Sequence, residues 1–287
     1  MLLDAQVGVE GDGAPARRLP GIDLAILDGT SIEKGHAPAI QRQQFLGTPF
    51  DIIDFDKVIN LIRETKDADG FRYIVTPNVD HVVRLSAHGE LKPYYDDAWL
   101  TLCDSKPLAL LARAMPLRLP RVTGADLTAN VFGRVIEDGD HIVLIAPNKT
   151  VVSRMRAQYP RLHVRAHVPP FGVGNNPAEI AKCVDFVVRE KATFIFIAVG
   201  APQSEKIAHA ILQDARATGI ALCIGASLEF LTGMKRRAPR WMSRAGIEWV
   251  HRLATDPRRL WRRYVFSVLP LLRLTVTEFS KRKSARS

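Results

Sequence analysis

The sequence predicts an α/β fold: a Rossmann-like parallel sheet with helices on both faces, carrying a helical, basic C-terminal appendage. Three observations predict it. Short apolar runs alternate with stretches of helical periodicity through the middle of the chain, the βαβ rhythm of a parallel sheet. The composition, 47% hydrophobic and 24% charged over 287 residues, suits one globular body of one or two lobes with a sizeable core. The charge is lopsided: residues 235–287 hold 15 Lys/Arg against 3 Asp/Glu, a local +12, which leaves 25 against 27 in residues 1–234. A near-neutral body with a basic tail is the pattern of a catalytic or binding domain with an appendage for an anionic surface or ligand.

Residues 1–40 are rich in Gly, Pro, Ala and charge, with only "IDLAIL" resembling a strand, and are expected to form a poorly ordered extension. The start "MLLDAQVGVEGDGAPARRLP" lacks the basic opening and apolar block of a signal peptide, and no run of eighteen apolar residues follows anywhere, so a cytoplasmic chain without a membrane span is expected. The body, 41–235, opens with the helical pattern "DKVINLIRE". "FRYIVT" (71–76) then leads into "PNVDHVVRLSAH", and "AWLTLC" (98–103) into "DSKPLALLARAM". "HIVLIA" (141–146) leads into "PNKTVVSRMRAQY", "TFIFIAVG" (193–200) into "APQSEKIAHAILQDARATG", and "IALCIG" (220–225) closes the series. No internal repeat is present.

The appendage, 236–287, reads as helix through "GIEWVHRLA" and breaks at "TDP", where Thr255 or Asp256 can cap and Pro257 fits the first turn of a new helix. In that helix Leu260, Trp261, Tyr264, Val265, Val268, Leu269 and Leu272 share one face, while Arg258, Arg259, Arg262 and Arg263 occupy the other, with a kink expected at Pro270. A basic amphipathic helix of this kind lies in the interface of an anionic membrane rather than crossing it.

In a parallel sheet, ligands bind just beyond the carboxyl ends of the strands. Asp104 follows "AWLTLC" at that lip, where a carboxylate can act as general base or merely cap the next helix. Thr76 ends the neighbouring strand and begins "TPN"; its hydroxyl can bind a substrate oxygen or serve the turn. Two D-x-D triplets, Asp54/Asp56 and Asp138/Asp140, have the form that holds a metal-diphosphate. The first opens a helix where acids suit the dipole and the second sits in a turn, so no metal site is expected. "FGVGNNP" falls short of a dinucleotide fingerprint because Pro177 replaces the third glycine and the loop does not follow the first strand. Cys103, Cys183 and Cys223 form no C-x-x-C, and the histidines have no ligand spacing, which leaves buried thiols and no cofactor.

Taken together, "TPNVDHV" followed by "CDSKP", "RVTGADL", "VGAPQSE", "IGASLEFLTGMKRRAPRW" and "GIEWVHRLATDPRRLWRRY" resemble the WecG/TagA/CpsF glycosyltransferases, family 26, from about residue 45 to about 270. The resemblance implies a cytoplasmic enzyme, peripheral on the inner face of the membrane, that self-associates. It would move a sugar, with inversion and without a metal, from a UDP-sugar to a polyprenyl-diphosphate-linked sugar in cell-surface polysaccharide assembly. The family's threonine and aspartate, twenty-eight positions apart, match Thr76 and Asp104; Asp104 would deprotonate the acceptor hydroxyl and Thr76 would position a reactant. Its C-terminal arginines, spaced seven and then three apart, match Arg252, Arg259 and Arg262, which would close over the site and neutralise diphosphate. Asn78, Arg121, Gln203 and Glu205 stand in the blocks that carry the resemblance and complete the expected substrate-binding set. The chain departs from the family at Ser105, where glycine is common, and at Ser204, where glutamine is common and neighbouring Gln203 could substitute.

The chemistry is coherent beside the resemblance. A departing UDP needs fixed cations or a divalent ion, and arginine's fork meets two phosphate oxygens at once. Readings from other classes are a nucleic-acid-binding protein, which the pI near 9.8 invites but no binding motif supports, a nicotinamide-dependent oxidoreductase without its glycine fingerprint, and a non-catalytic membrane scaffold that would dispense with Asp104.

Overall fold

A computed structural model describes residues 40–235, residue 242 and the helix over 257–284, with side chains in that helix from 267 onward. The expected extension up to residue 39 and the expected site arginines Arg252, Arg259 and Arg262 lie outside what it describes, apart from the backbone of the last two.

The described residues open with a hairpin, β1 (Arg42–Phe45) and β2 (Thr48–Asp51), turned by Leu46 and Gly47 at positive φ. Helix α1 (Phe55–Thr65) follows, then β3 (Phe71–Val75), α2 (Val79–Ala87), α3 (Pro93–Asp96), β4 (Leu100–Thr101), α4 (Lys106–Ala114) and α5 (Gly124–Arg134). The second half runs β5 (His141–Ile145), α6 (Lys149–Gln158), β6 (His163–His167), α7 (Pro177–Glu190), β7 (Phe194–Ile197), α8 (Gln203–Leu212), β8 (Gly219–Cys223) and α9 (Ser227–Leu231). The last element is α10 (Pro257–Ser284), which starts at Pro257 as expected and continues through Pro270.

Six strands form one parallel sheet in the order β4-β3-β8-β7-β5-β6. The period-2 alternation of the strands divides the core in two. Ile74, Leu100, Ile142, Leu144, Phe194, Phe196, Ile220 and Leu222 point to one face, where they meet Val58, Ile59 and Ile62 of α1, Leu127 and Val131 of α5, and Val151 and Met155 of α6. Tyr73, Val75, Val143, Ile145, Ile195, Ile197 and Cys223 point to the other, against Cys183 and Val187 of α7 and Ile207, Ala208 and Ile211 of α8. The expected parallel sheet with helices on both faces is thus present, and two elements escape the sequence pattern. The hairpin is too short to show a period. Strand β6, "HVRAH", alternates histidine, arginine and small residues because it is an edge, where a charged strand resists pairing with a stranger.

The opposite edge is sealed by the hairpin. Asp51 is buried, accepts the Thr101 amide of β4 at 2.7 Å, and is gripped by Arg42 through Nε at 2.8 Å and Nη2 at 2.9 Å. One carboxylate thereby satisfies a strand amide that the sheet leaves over and fixes the hairpin to the edge. A third apolar cluster lies under the hairpin and α4, built from Phe45, Phe50, Val82, Cys103, Leu108 and Met115, and α10 adds Leu271 and Leu274 to it. Arg282 of α10 donates to the Gln44 carbonyl of β1 at 3.0 Å, so the far end of the appendage is held to the hairpin as well.

Gly219 opens β8 with φ +94°, and a Cβ there would stand 2.3 Å from the Ala192 carbonyl oxygen and 2.9 Å from that of Thr193. No side chain fits beside two backbone oxygens that cannot move away without breaking the sheet. Gly219→Ala should therefore lower the unfolding free energy by roughly 3 kcal/mol. A urea midpoint equal to that of the parent chain would refute the close approach.

Candidate active site at the ends of β3, β4 and β8

The carboxyl ends of three neighbouring strands, β4, β3 and β8, present Asp104, Thr76 and Ser227 to a common point at the first residue of α5. Backbone contacts bring them there. Beyond β4, Cys103 pairs in parallel with Arg121, and the Val122 amide donates to the Cys103 carbonyl at 2.9 Å. The chain returning from α4 therefore runs beside β4 and delivers "TG" to Asp104. Thr123 caps α5 by accepting the Asp126 amide at 3.0 Å, and the Gly124 amide donates to Asp104 Oδ2 at 3.1 Å. The amide of Asp104 itself donates to the Pro77 carbonyl at 3.0 Å, tying the β4 end to the β3 end.

Gly124 is the crowded point. A Cβ at that position would lie 2.9 Å from Thr76 Oγ1, 3.4 Å from Ser227 Oγ and 3.7 Å from Asp104 Oδ2. Three oxygens thus surround one spot that a side chain on this residue could enter only by displacing Thr76. Thr76 is 9% exposed, and its hydroxyl reaches the Cys223 carbonyl at 3.5 Å, a long and weak bond. Ser227 is 5% exposed and donates to the Ile224 carbonyl at 2.6 Å.

Of the sequence-expected residues, Thr76 and Asp104 come together, and Asn78 stands next to Thr76 as the N-cap of α2, accepting the Asp80 amide at 3.0 Å. His81 closes the capping box: the Asn78 amide donates to its Nδ1 at 3.3 Å, while Asn78 Oδ1 lies 2.9 Å from the same nitrogen. Those two contacts ask opposite things of Nδ1, a lone pair for the amide and a proton for the side chain, so the tautomer of His81 decides which one holds. Its other nitrogen, Nε2, is 3.7 Å from Glu205 Oε1. Glu205 is 3% exposed, and its Oε2 is buried with no hydrogen-bond partner among the described residues. Burial first, and the Glu205 carboxylate next, push the hydroxyl of Tyr95 upward from its ordinary pKa. Glu205 thus lies behind His81, which in turn contacts Asn78, and does not itself join Asp104 and Thr76.

Gln203 spends its amide on backbone, accepting the Gly174 amide at 3.1 Å and donating to the Val199 carbonyl at 3.3 Å, so "FGVGNNP" is a packing loop against α8. Ser204 is buried and donates to the Ile197 carbonyl. Arg121 is exposed, one residue of ladder away from Asp104. Burial pushes the thiol of Cys103 up to about 12, which makes it a core residue and no nucleophile.

The four D-x-D carboxylates have structural partners. Asp54 pairs with Arg118 at 2.8 Å, Asp56 with Arg134 at 3.0 Å and Asp138 with Arg161 at 2.7 Å, while Asp140 accepts the Glu137 amide at 2.9 Å. Among the described residues no group of three His, Cys, Asp or Glu side chains gathers as a metal site does.

Sequence reasoning left Gly124, Ser227 and His81 without roles. A glycine directly after an N-capping threonine was the available signal for the first, since a helix start does not otherwise need one. Ser227 stands in the block "IGASLEFLTGMKRRAPRW", which carries the resemblance but gives this serine no role by spacing.

The sequence model of the "Glycosyl transferase WecG/TagA/CpsF family" matches residues 43–285. The chain is 27% identical over 187 residues to the N-acetylglucosaminyldiphosphoundecaprenol N-acetyl-beta-D-mannosaminyltransferase of Bacillus subtilis (strain 168), covering 63% of this chain and 70% of that one. It is 23% identical over 209 residues to the protein of the same name from Bacillus spizizenii, covering 69% and 78%.

Proposed function

The chain belongs to the WecG/TagA/CpsF glycosyltransferase family, and we propose that it transfers a glycosyl group from a UDP-sugar to a hydroxyl of a polyprenyl-diphosphate-linked N-acetylglucosamine, with inversion and without a metal ion. The observation that carries this reading is the convergence of Asp104 and Thr76 on Gly124 at the ends of adjacent strands. Asp104 removes the proton of the acceptor hydroxyl as its oxygen attacks the anomeric carbon from the face opposite the diphosphate. The bond from that carbon to the phosphate oxygen breaks, and UDP leaves with the electron pair. The Gly124 amide keeps the carboxylate aimed, and Thr76 orients the reacting hydroxyl.

The negative charge growing on UDP falls to arginine. Arg252, Arg259 and Arg262 of the appendage are the proposed clamp, with Arg121 contributing from the body because it stands beside the strand that ends in Asp104. Support for a metal-free reaction comes from the D-x-D triplets, whose carboxylates are occupied by arginines and a turn amide.

The appendage also supplies the proposed hold on an anionic membrane. Val268, Leu269, Leu272, Val276 and Phe279 are each more than half exposed, and their spacing puts them on one stripe of α10. Leu271 and Leu274, on the neighbouring face, pack into the body. Arg273, Lys281 and Lys283 belong to the same helix, so apolar area and positive charge are presented together. No described helix is long and apolar enough to cross a membrane.

Asp104→Asn should keep the fold and lower turnover, measured as UDP release with a short-chain acceptor, by roughly a hundred- to ten-thousandfold. Near-parental turnover would remove Asp104 from the mechanism. Transfer should persist in excess chelator; activity that vanished and returned with magnesium or manganese would move the leaving-group charge from arginine to a metal. Leu269→Asp with Leu272→Asp and Phe279→Asp should release the protein from anionic vesicles in a flotation assay while turnover of a water-soluble acceptor stays within about twofold. Unchanged flotation would show that the stripe is not the docking face.

A further inference from the structure

Ser227 is a buried hydroxyl that the reaction above leaves without a task. It follows β8, the strand between β3 and β7, within the block "IGASLEF". Its proton is committed, because the Oγ donates to the Ile224 carbonyl at 2.6 Å. A hydroxyl that has spent its donor presents only lone pairs. Those lone pairs lie at the same crowded point as the catalytic pair: the Cβ that Gly124 lacks would touch Ser227 Oγ at 3.4 Å, Thr76 Oγ1 at 2.9 Å and Asp104 Oδ2 at 3.7 Å.

We propose that Ser227 is a specificity-determining residue that contacts the acceptor, its Oγ accepting a hydrogen bond from a second hydroxyl on the sugar ring whose reactive hydroxyl is held by Asp104. The inference rests on the reading of Asp104 as the base. The geometry makes the pairing natural. Asp104 Oδ2 and Ser227 Oγ are both hydrogen-bond acceptors, they come from strands on either side of β3, and Thr76 at the end of β3 stands between them. Two acceptors flanking one point match two donors on one small ligand, and neighbouring hydroxyls of a pyranose are such a pair.

The glycine supports the same assignment. Any side chain at the first residue of α5 would press on Thr76 and stand between the three oxygens, so glycine keeps them facing one point while leaving the amide to hold Asp104. A site that offers a buried acceptor discriminates against a ligand lacking the matching donor more strongly than an apolar pocket does, because the acceptor is then left unpaired.

The test uses the full chain, UDP-sugar donors and short-chain diphosphate-linked acceptors, including analogues that each lack one ring hydroxyl other than the reactive one. Ser227→Ala should raise the acceptor KM about tenfold, the scale of one lost hydrogen bond to a buried acceptor, with kcat and the donor KM within about twofold. One analogue should show the same loss with the parent protein, and Ser227→Ala should lose nothing further on it. An unchanged acceptor KM, an increase confined to the donor KM, or an equal additional loss on every analogue would overturn the proposal. Calorimetric binding of the parent acceptor separates this inference from the reaction itself. Should the parent protein release no UDP, the proposed reaction fails, while binding weakened by Ser227→Ala still supports the contact and equal binding by the two proteins still refutes it.

Discussion

The hydrogen bond from the Gly124 amide to Asp104 is the interaction on which the rest of the site depends. It needs a helix that begins at the right height beside the end of β4, and the sheet provides that height by adding one residue of ladder beyond β4, where Cys103 pairs with Arg121. It also needs a first helical residue with no side chain, since anything larger would press on Thr76. The same amide could not hold a carboxylate in the middle of a helix, because there it is spent on a carbonyl four residues earlier; only the first turn leaves it over. A carboxylate aimed by an orphan helix amide is positioned by backbone alone, so its aim is as firm as the strand end that carries it.

The edge therefore matters to the chemistry. Strand β4 has two residues, too few to be held by its ladder alone. Asp51 supplements that ladder by taking the Thr101 amide, and Arg42 anchors Asp51 while also donating to the carbonyls of Asp96 and Ala98. The hairpin that carries these two residues also receives Arg282 from α10, and Leu271 and Leu274 of α10 share its apolar cluster with Val82 of α2. The N-terminus of α2 presents Asn78 next to Thr76. A force on α10, such as seating its exposed stripe in a bilayer, thus bears on the same packed cluster that supports both strand ends, which is a physical route by which docking and site geometry can be joined.

Much of this was legible in the sequence. Strands β3, β5, β7 and β8 are nearly unbroken apolar runs because they are covered on both faces, and such runs announce a parallel sheet. Asp104 and Thr76 were legible because the ends of such strands are known places for ligands. The hairpin was not, since strands of four residues show no period, and β6 was not, since an edge needs charge where a core strand needs bulk and a charged alternation reads as loop. Ser227 and His81 stand in quoted blocks, "IGASLEF" and "TPNVDHV", but their roles were hidden for a different reason. Each acts by standing against residues far away in sequence, Ser227 against Gly124 and His81 against Glu205, and no local spacing encodes such a meeting.

The charge asymmetry of the chain follows from the division of labour in the proposed reaction. A general base must accept a proton, so a cluster of arginines packed permanently around Asp104 would hold it too firmly as an anion and blunt it. A diphosphate leaving group needs that very cluster, but only once the donor is bound and its charge is growing. Setting the carboxylate in a near-neutral body and the arginines in an appendage resolves the conflict, because the cations can meet phosphate without being built into the base's resting environment. Arg121 pairs with Cys103 just before Asp104 and is exposed, which keeps its field screened by water until a ligand covers it. On this reading the basic tail is needed to complete the site even when the acceptor is soluble, and its membrane face is an addition to that duty.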